Sequence, residues 1–114
     1  MAAYGGRCAV TGYSASAALE AAHIAPYRGV HSHDVRNGLL LRADIHTLFD
    51  LKLLTVTPNW TIHVSPELRD SEYWSLDGKR LAVVPSAEDA PLPDLLAAHN
   101  DSFGLTTRCP NQLG

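Results

Sequence analysis

His23, Asn37 and His46 follow one another at intervals of 14 and 9 residues, and Asp50 stands four residues beyond the second histidine. These residue types at this spacing suit the hydrolysis of a phosphodiester. That reaction needs a base to activate water and a cation to stabilise charge on the phosphate and the leaving oxygen. Imidazole, with an unperturbed pKa of about 6.5, is mostly neutral at physiological pH and serves as such a base. On a helix, His46 and Asp50 at i and i+4 project from one face about a turn apart, so a nitrogen and an oxygen can share one divalent ion. Mixed N/O ligation suits several divalent metals, from Mg²⁺, the ion expected here, and Mn²⁺ through Ni²⁺ and Zn²⁺. An asparagine between the two histidines can bridge backbone groups and fix their separation.

The elements that must hold these groups are short. Residues 19–25 are apolar enough for a strand and end at Pro26, which cannot donate to a ladder. Residues 27–36 read as a polar loop containing His31 and His33, which are solvated or phosphate-facing rather than a metal pair. Asn37-Gly38 is a turn signal, and residues 39–41 follow as a short strand or the approach to a helix. From 43 to 53 the apolar Ile45, Leu48, Phe49 and Leu53 recur at helical spacing, with Asp44 in the first turn and Lys52 at the opposite pole of the dipole.

The remaining segments frame that centre. Gly5-Gly6 and Gly12 bracket a tight turn or short hairpin over 7–11. Residues 54–57 and 60–65 alternate around Pro58-Asn59 and predict a hairpin whose second strand includes Trp60. A short helical turn is expected over 66–76, then a second hairpin signal at Asp77-Gly78 leading into a strand over 80–84. A loop spans 85–93. A helix over 94–103 carries Leu95, Leu96, His99 and Phe103 on one side and stops at Gly104. His63 and His99 read as structural, Trp60 and Trp74 as core or partner-facing.

Composition restricts the alternatives. The chain has 114 residues, 46% hydrophobic and 18% charged, as expected of one soluble globular domain. No apolar run approaches the roughly 20 residues that cross a bilayer, and no leader pattern opens the chain, so the reading places it in the cytoplasm and off the membrane. Cys8 and Cys109 read as two free thiols, and without closely spaced cysteines there is no structural zinc knuckle. The net charge of −3 argues against a protein that coats nucleic acid. Residues 1–52, however, hold five Lys/Arg against four acids, while 53–114 hold four against eight. A nucleic-acid face belongs in the first half, where Arg28, Arg36 and Arg42 are candidates for charge-assisted bonds to DNA phosphates.

The His23, Asn37 and His46 pattern resembles the HNH superfamily, the ββα-metal (His-Me finger) nucleases that include colicin DNases and many restriction and homing endonucleases. The runs Tyr4-Gly-Gly-Arg-Cys-Ala-Val-Thr-Gly12, Leu19-Glu-Ala-Ala-His-Ile24 and Asn37-Gly-Leu-Leu-Leu-Arg-Ala-Asp-Ile-His-Thr-Leu-Phe-Asp50 are similar to one branch. So is the Tyr73, Gly78, Leu81, Pro85 series. That branch is the HNH module of bacterial restriction-type, modification-dependent endonucleases, where it often follows a domain that reads modified bases. The likeness runs from Tyr4 to about Phe103.

It implies an α+β fold with a ββα-metal core, an added β-hairpin and a C-terminal helix. Residues 1–104 would form the endonuclease domain, with the core motif at 19–53, and 105–114 a tail. His23 becomes the general base, Asn37 the loop organiser, His46 a metal ligand and Asp50 the position of a second. The implied activity is metal-dependent cleavage of double-stranded DNA within a restriction system. An upstream base-reading domain in a longer parent is expected, and a homodimer is one way to cut both strands.

One departure bears on the metal. Many HNH enzymes carry Asp or His immediately before the base; here Ala22 stands there, so that the ion either binds more weakly, takes extra water or borrows Glu20, which alternation sets on the same strand face. Two other readings follow: a catalytically impaired HNH fold that binds DNA or protein, and a nuclease toxin domain.

Overall fold

The computed structural model of the chain describes residues 2–25 and 35–103. Arg28, His31, His33, Gly104 and Cys109 lie outside them. The described residues form an α+β arrangement of two antiparallel hairpins and two α-helices.

Strand β1, Leu19–His23, pairs with β2, Gly38–Arg42, in a register that sets Leu19 opposite Arg42 and His23 opposite Gly38. Gly38 to Leu41 are all buried. The Leu39-Leu40-Leu41 run therefore becomes the inner strand, with β1 on one edge and the turn around Ala9 on the other, where Ala9 N–H donates to the Leu40 carbonyl at 2.7 Å. That turn is closed by Cys8 and Gly12 (Gly12 N–H to Cys8 O, 2.8 Å) and uses the positive φ of Gly12, 77°. Cys8 is fully buried, and its sulfur accepts from the Thr11 amide.

Helix α1, Ala43–Asp50, follows β2 directly and packs on β1, β2 and the next strand. Ile45 and Phe49 face inward, as the spacing predicts. The helix is shorter than the sequence pattern suggests. Leu51 is still right-handed, but Lys52 takes φ 64°. Its amide donates to Phe49 O, and that of Leu53 to Leu48 O. This pair of bonds ends a helix through a left-handed residue, so Leu53 leaves the helical stripe.

Strands β3, Leu54–Val56, and β4, Ile62–Val64, form the second hairpin with Leu54 opposite Val64. Trp60 is not in β4. It has φ 66° and closes the loop that begins at Pro58 (Trp60 N–H to Thr57 O, 2.9 Å), the left-handed position that a three-residue hairpin loop requires. The expected strand over 80–84 reduces to a single bridge between Thr61 and Arg80. Its hydrogen bonds are divided, because Leu81 N–H goes to Trp60 O while Val83 N–H goes to Ala9 O. Short 3₁₀ turns occupy Pro66–Leu68 and Glu72–Leu76.

Helix α2, Pro93–Phe103, lies against β3 and buries Leu96, His99 and Asn100. Leu39, Leu41, Ile45, Phe49, Leu54, Val56, Ile62, Val64 and Leu96 make one core between the hairpins and the helices. At about 1.5–3 kcal/mol for each large apolar side chain removed from water, this core holds β1, β2 and α1 in fixed relation. No helix among the described residues is long and apolar enough to cross a membrane.

Candidate active site

His23 ends β1, and its side chain is exposed with no hydrogen-bond partner among the described residues. The backbone just beyond it is tied down by Asn37, which is 4% exposed. The Asn37 side-chain oxygen accepts from the Ala25 amide at 2.8 Å, its NH₂ donates to the Ala25 carbonyl at 3.3 Å, and its own carbonyl accepts from Ile24. Three bonds from one residue lock the chain within two residues of His23. A buried amide left without them would cost about 1–3 kcal/mol, which is why an apolar replacement would not serve.

His46, on the second turn of α1, is held at both ring nitrogens. Nδ1 lies 2.7 Å from Glu20 Oε1, across from β1, and Nε2 lies 3.1 Å from Asp50 Oδ2 on its own helix. In a neutral ring only one nitrogen carries hydrogen. With the hydrogen on Nδ1, donating to Glu20, the Nε2 lone pair would face Asp50. Two lone-pair donors facing each other repel unless a proton or a cation lies between them. Two ligands at about 2.1 Å from one ion and at right angles sit about 3 Å apart, so the Nε2–Oδ2 separation suits a shared divalent ion.

The protein's own donor set stops there. Among the described residues no group of three His, Cys, Asp or Glu side chains is placed to hold one metal. Glu20 reaches the far nitrogen of the ring rather than the Asp50 side, and so acts as the partner of His46 instead of standing in for the ligand absent at Ala22. Ala22 itself is 1% exposed, packed into the core.

A cleft of about 300 Å³ brings His23, His46 and Asp50 together, with Lys52 and His99 also on its wall. Lys52 was legible only as a helix-end charge. His99 lies beneath the site, its ring stacked on Phe49 with centroids 3.8 Å apart. Its Nε2–H donates to the Phe49 carbonyl at 2.9 Å, and Nδ1 accepts from the Thr55 hydroxyl, which in turn accepts from Asn100. Burial pushes its pKa down to about 4, so it is a neutral structural histidine.

The three arginines of the sequence reading divide. Arg28 lies outside the described residues. Arg36 donates from Nε to the Ala90 carbonyl at 2.8 Å. Arg42 places its fork on Asp44 (2.7 and 3.0 Å) and its guanidinium 5.3 Å from the centre of the Tyr13 ring. Asp44 also accepts from the Tyr73 hydroxyl and the Ile45 amide, and the Arg42 bonds hold its carboxyl down at about 2.

Comparison with known proteins bears on the same segment. Residues 8–57 match a family model described as HNH endonuclease. No curated protein sequence matches the chain. Among solved structures it is similar to one titled modification-dependent TagI restriction endonuclease, with a TM-score of 0.64 and 19% identity over 89% of this chain. The chain spans 34% of that protein's length. The resemblance to HNH endonucleases therefore holds over residues 8–57, which include His23, Asn37, His46 and Asp50. The α+β fold is shared with a part of the restriction enzyme.

Proposed function

We propose that the chain is the cleavage module of a restriction system, a metal-dependent endonuclease acting on double-stranded DNA in the cytoplasm. The observation that carries this is the convergence of His23 with the His46–Asp50 pair on one cleft. His23, exposed and without a hydrogen-bond partner among the described residues, takes the proton from a water that attacks the scissile phosphorus in line. Asn37 fixes the chain on which that base stands. His46 and Asp50 are the residues that hold a divalent ion, Mg²⁺ by first preference, and Glu20 keeps the His46 lone pair turned toward Asp50. When bound, the ion supplies charge stabilisation to the phosphate and to the leaving 3′ oxygen. The likeness to a modification-dependent restriction enzyme supports the restriction context.

The burial of Ala22 favours a second reading, an impaired HNH fold that binds DNA without cutting it. Supercoiled-plasmid cleavage separates the two. The purified chain, incubated with EDTA or with Mg²⁺, Mn²⁺, Ni²⁺ or Zn²⁺, should nick plasmid only with metal. His23→Ala should lower the rate by roughly 10²- to 10⁴-fold, the usual contribution of a positioned general base, with an unchanged melting curve. Full activity in His23→Ala would remove it as the base. No nicking with any metal from a folded chain would favour the binding module.

A further inference from the structure

Lys52 stands at the junction between the end of α1 and the cleft. Its φ of 64° belongs to the left-handed region, and the two bonds that end the helix, from its own amide to Phe49 O and from Leu53 to Leu48 O, require that conformation. Glycine adopts it freely and a lysine does not. The residue nevertheless lines the same cleft as His23, His46 and Asp50. It is near enough to His99, on the cleft wall, for its charge to be felt there. Lys52 makes no ion pair among the described residues.

The anionic groups at the cleft create a requirement. Asp50 and Glu20 both sit at His46, and their field repels a phosphodiester. Arg42, a phosphate candidate in the sequence, forms an ion pair with Asp44. The geometry points to Lys52 as a phosphate-holding residue: its ammonium takes a non-bridging oxygen of a DNA backbone phosphate lying in the cleft. A lysine acts on phosphate as a mobile point charge, which suits an exposed position at a helix end. The identity of the polyanion rests on the nuclease reading; the contact itself does not.

The test uses Lys52→Gly, Lys52→Gln and Lys52→Arg in the whole chain, with three measurements. These are thermal melting without DNA, fluorescence-anisotropy binding of a duplex in EDTA across a NaCl series, and plasmid nicking with metal. Lys52→Gly should melt higher than the wild type, because glycine relieves the left-handed backbone, and yet bind and nick more weakly. In Lys52→Gly and Lys52→Gln the plot of log K against log salt should flatten by about 0.9, the release of counterions from one phosphate. Lys52→Arg should keep the wild-type slope. A wild type that nicks while Lys52→Gln keeps the wild-type slope overturns the phosphate contact and leaves the nuclease standing. A wild type that never nicks but loses slope in Lys52→Gln supports the contact and sinks the catalytic reading. No duplex binding by the wild type at any salt overturns the contact, and together with no nicking overturns the nuclease reading as well.

Discussion

Glu20 and Asp50 are both carboxylates on His46, but they do different work because they meet different nitrogens of the ring. Glu20, at 2.7 Å from Nδ1, is placed to take a ring hydrogen there; Asp50, at 3.1 Å from Nε2, stands where the lone pair so freed would share the proposed cation. Partners of this kind behind a metal-binding histidine typically change affinity by 10- to 100-fold. Glu20→Ala should therefore weaken Mn²⁺ binding by about that factor in calorimetry, and nitrogen NMR of the metal-free protein should show the His46 hydrogen shifted from Nδ1 toward Nε2, where Asp50 remains to accept it. An unchanged tautomer signal would mean that Glu20 does not orient the ring. Asp50→Ala should weaken the same binding more severely, since it removes a donor rather than a support, while the tautomer signal stays that of the wild type. Equal metal affinity in Asp50→Ala and wild type would exclude it as a ligand.

At the scale of elements, the site depends on how α2 closes over β3 and the end of α1. His99 is the joint: it stacks on Phe49, donates to the Phe49 carbonyl and accepts from Thr55. Desolvation is the main cause that lowers its pKa from 6.5 to about 4, with Lys52 lowering it further and the Phe49 bond and Asp50 opposing. The unfolded chain, with an ordinary histidine, binds a proton between those two values and the folded chain does not. This contribution to stability is therefore complete above about pH 6.5 and is lost as pH falls toward 4. The full shift corresponds to about 3 kcal/mol. Urea unfolding at pH 4.5 and 7.5 should show most of that difference in the wild type and little of it in His99→Leu, beyond what carboxylates such as Asp44 add at the acid end. A His99→Leu variant with the wild-type pH dependence would place the titration elsewhere.

The elements also show where sequence patterns run out. The 3.6-residue stripe located α1 but carried it to Leu53, since periodicity cannot register a left-handed lysine. Alternation located β4 but included Trp60, whose φ is set by the loop. The strand expected over 80–84 failed because its amides are shared between Trp60 and Ala9, a division decided by tertiary packing. That His23, His46 and Asp50 would come together was legible from their spacing, and they line one cleft. The Glu20–His46 pair was not, because it depends on how a helix lies across a hairpin 26 residues away in sequence.

For the molecule as a whole, the proposed substrate raises the question of how a chain of net charge −3 would hold a polyanion. The answer is in the local arrangement of charge rather than its sum. Among the described residues Arg42 is bound to Asp44 and Arg36 to a carbonyl, which leaves Lys52 as the cation lining the cleft. Few phosphates can be neutralised by such a surface, and counterion release scales with their number. The chain should therefore bind a random duplex weakly, with a dissociation constant of roughly 10⁻⁴ to 10⁻⁶ M near physiological salt, and with a shallow salt dependence of about one to three counterions. An anisotropy titration across a NaCl series measures both. A slope near that of six or more phosphates would show a basic face that this charge distribution does not contain. If the slope is shallow, cleavage should be limited by encounter rather than by the site. Tethering the chain to a DNA-binding domain should then raise its nicking rate at low protein concentration, because a linker that spans the two sites supplies an effective concentration in the millimolar range. The His23→Ala form of the same fusion should stay slower than the unmutated fusion by the same roughly 10²- to 10⁴-fold, which separates delivery of the substrate from the chemistry performed on it.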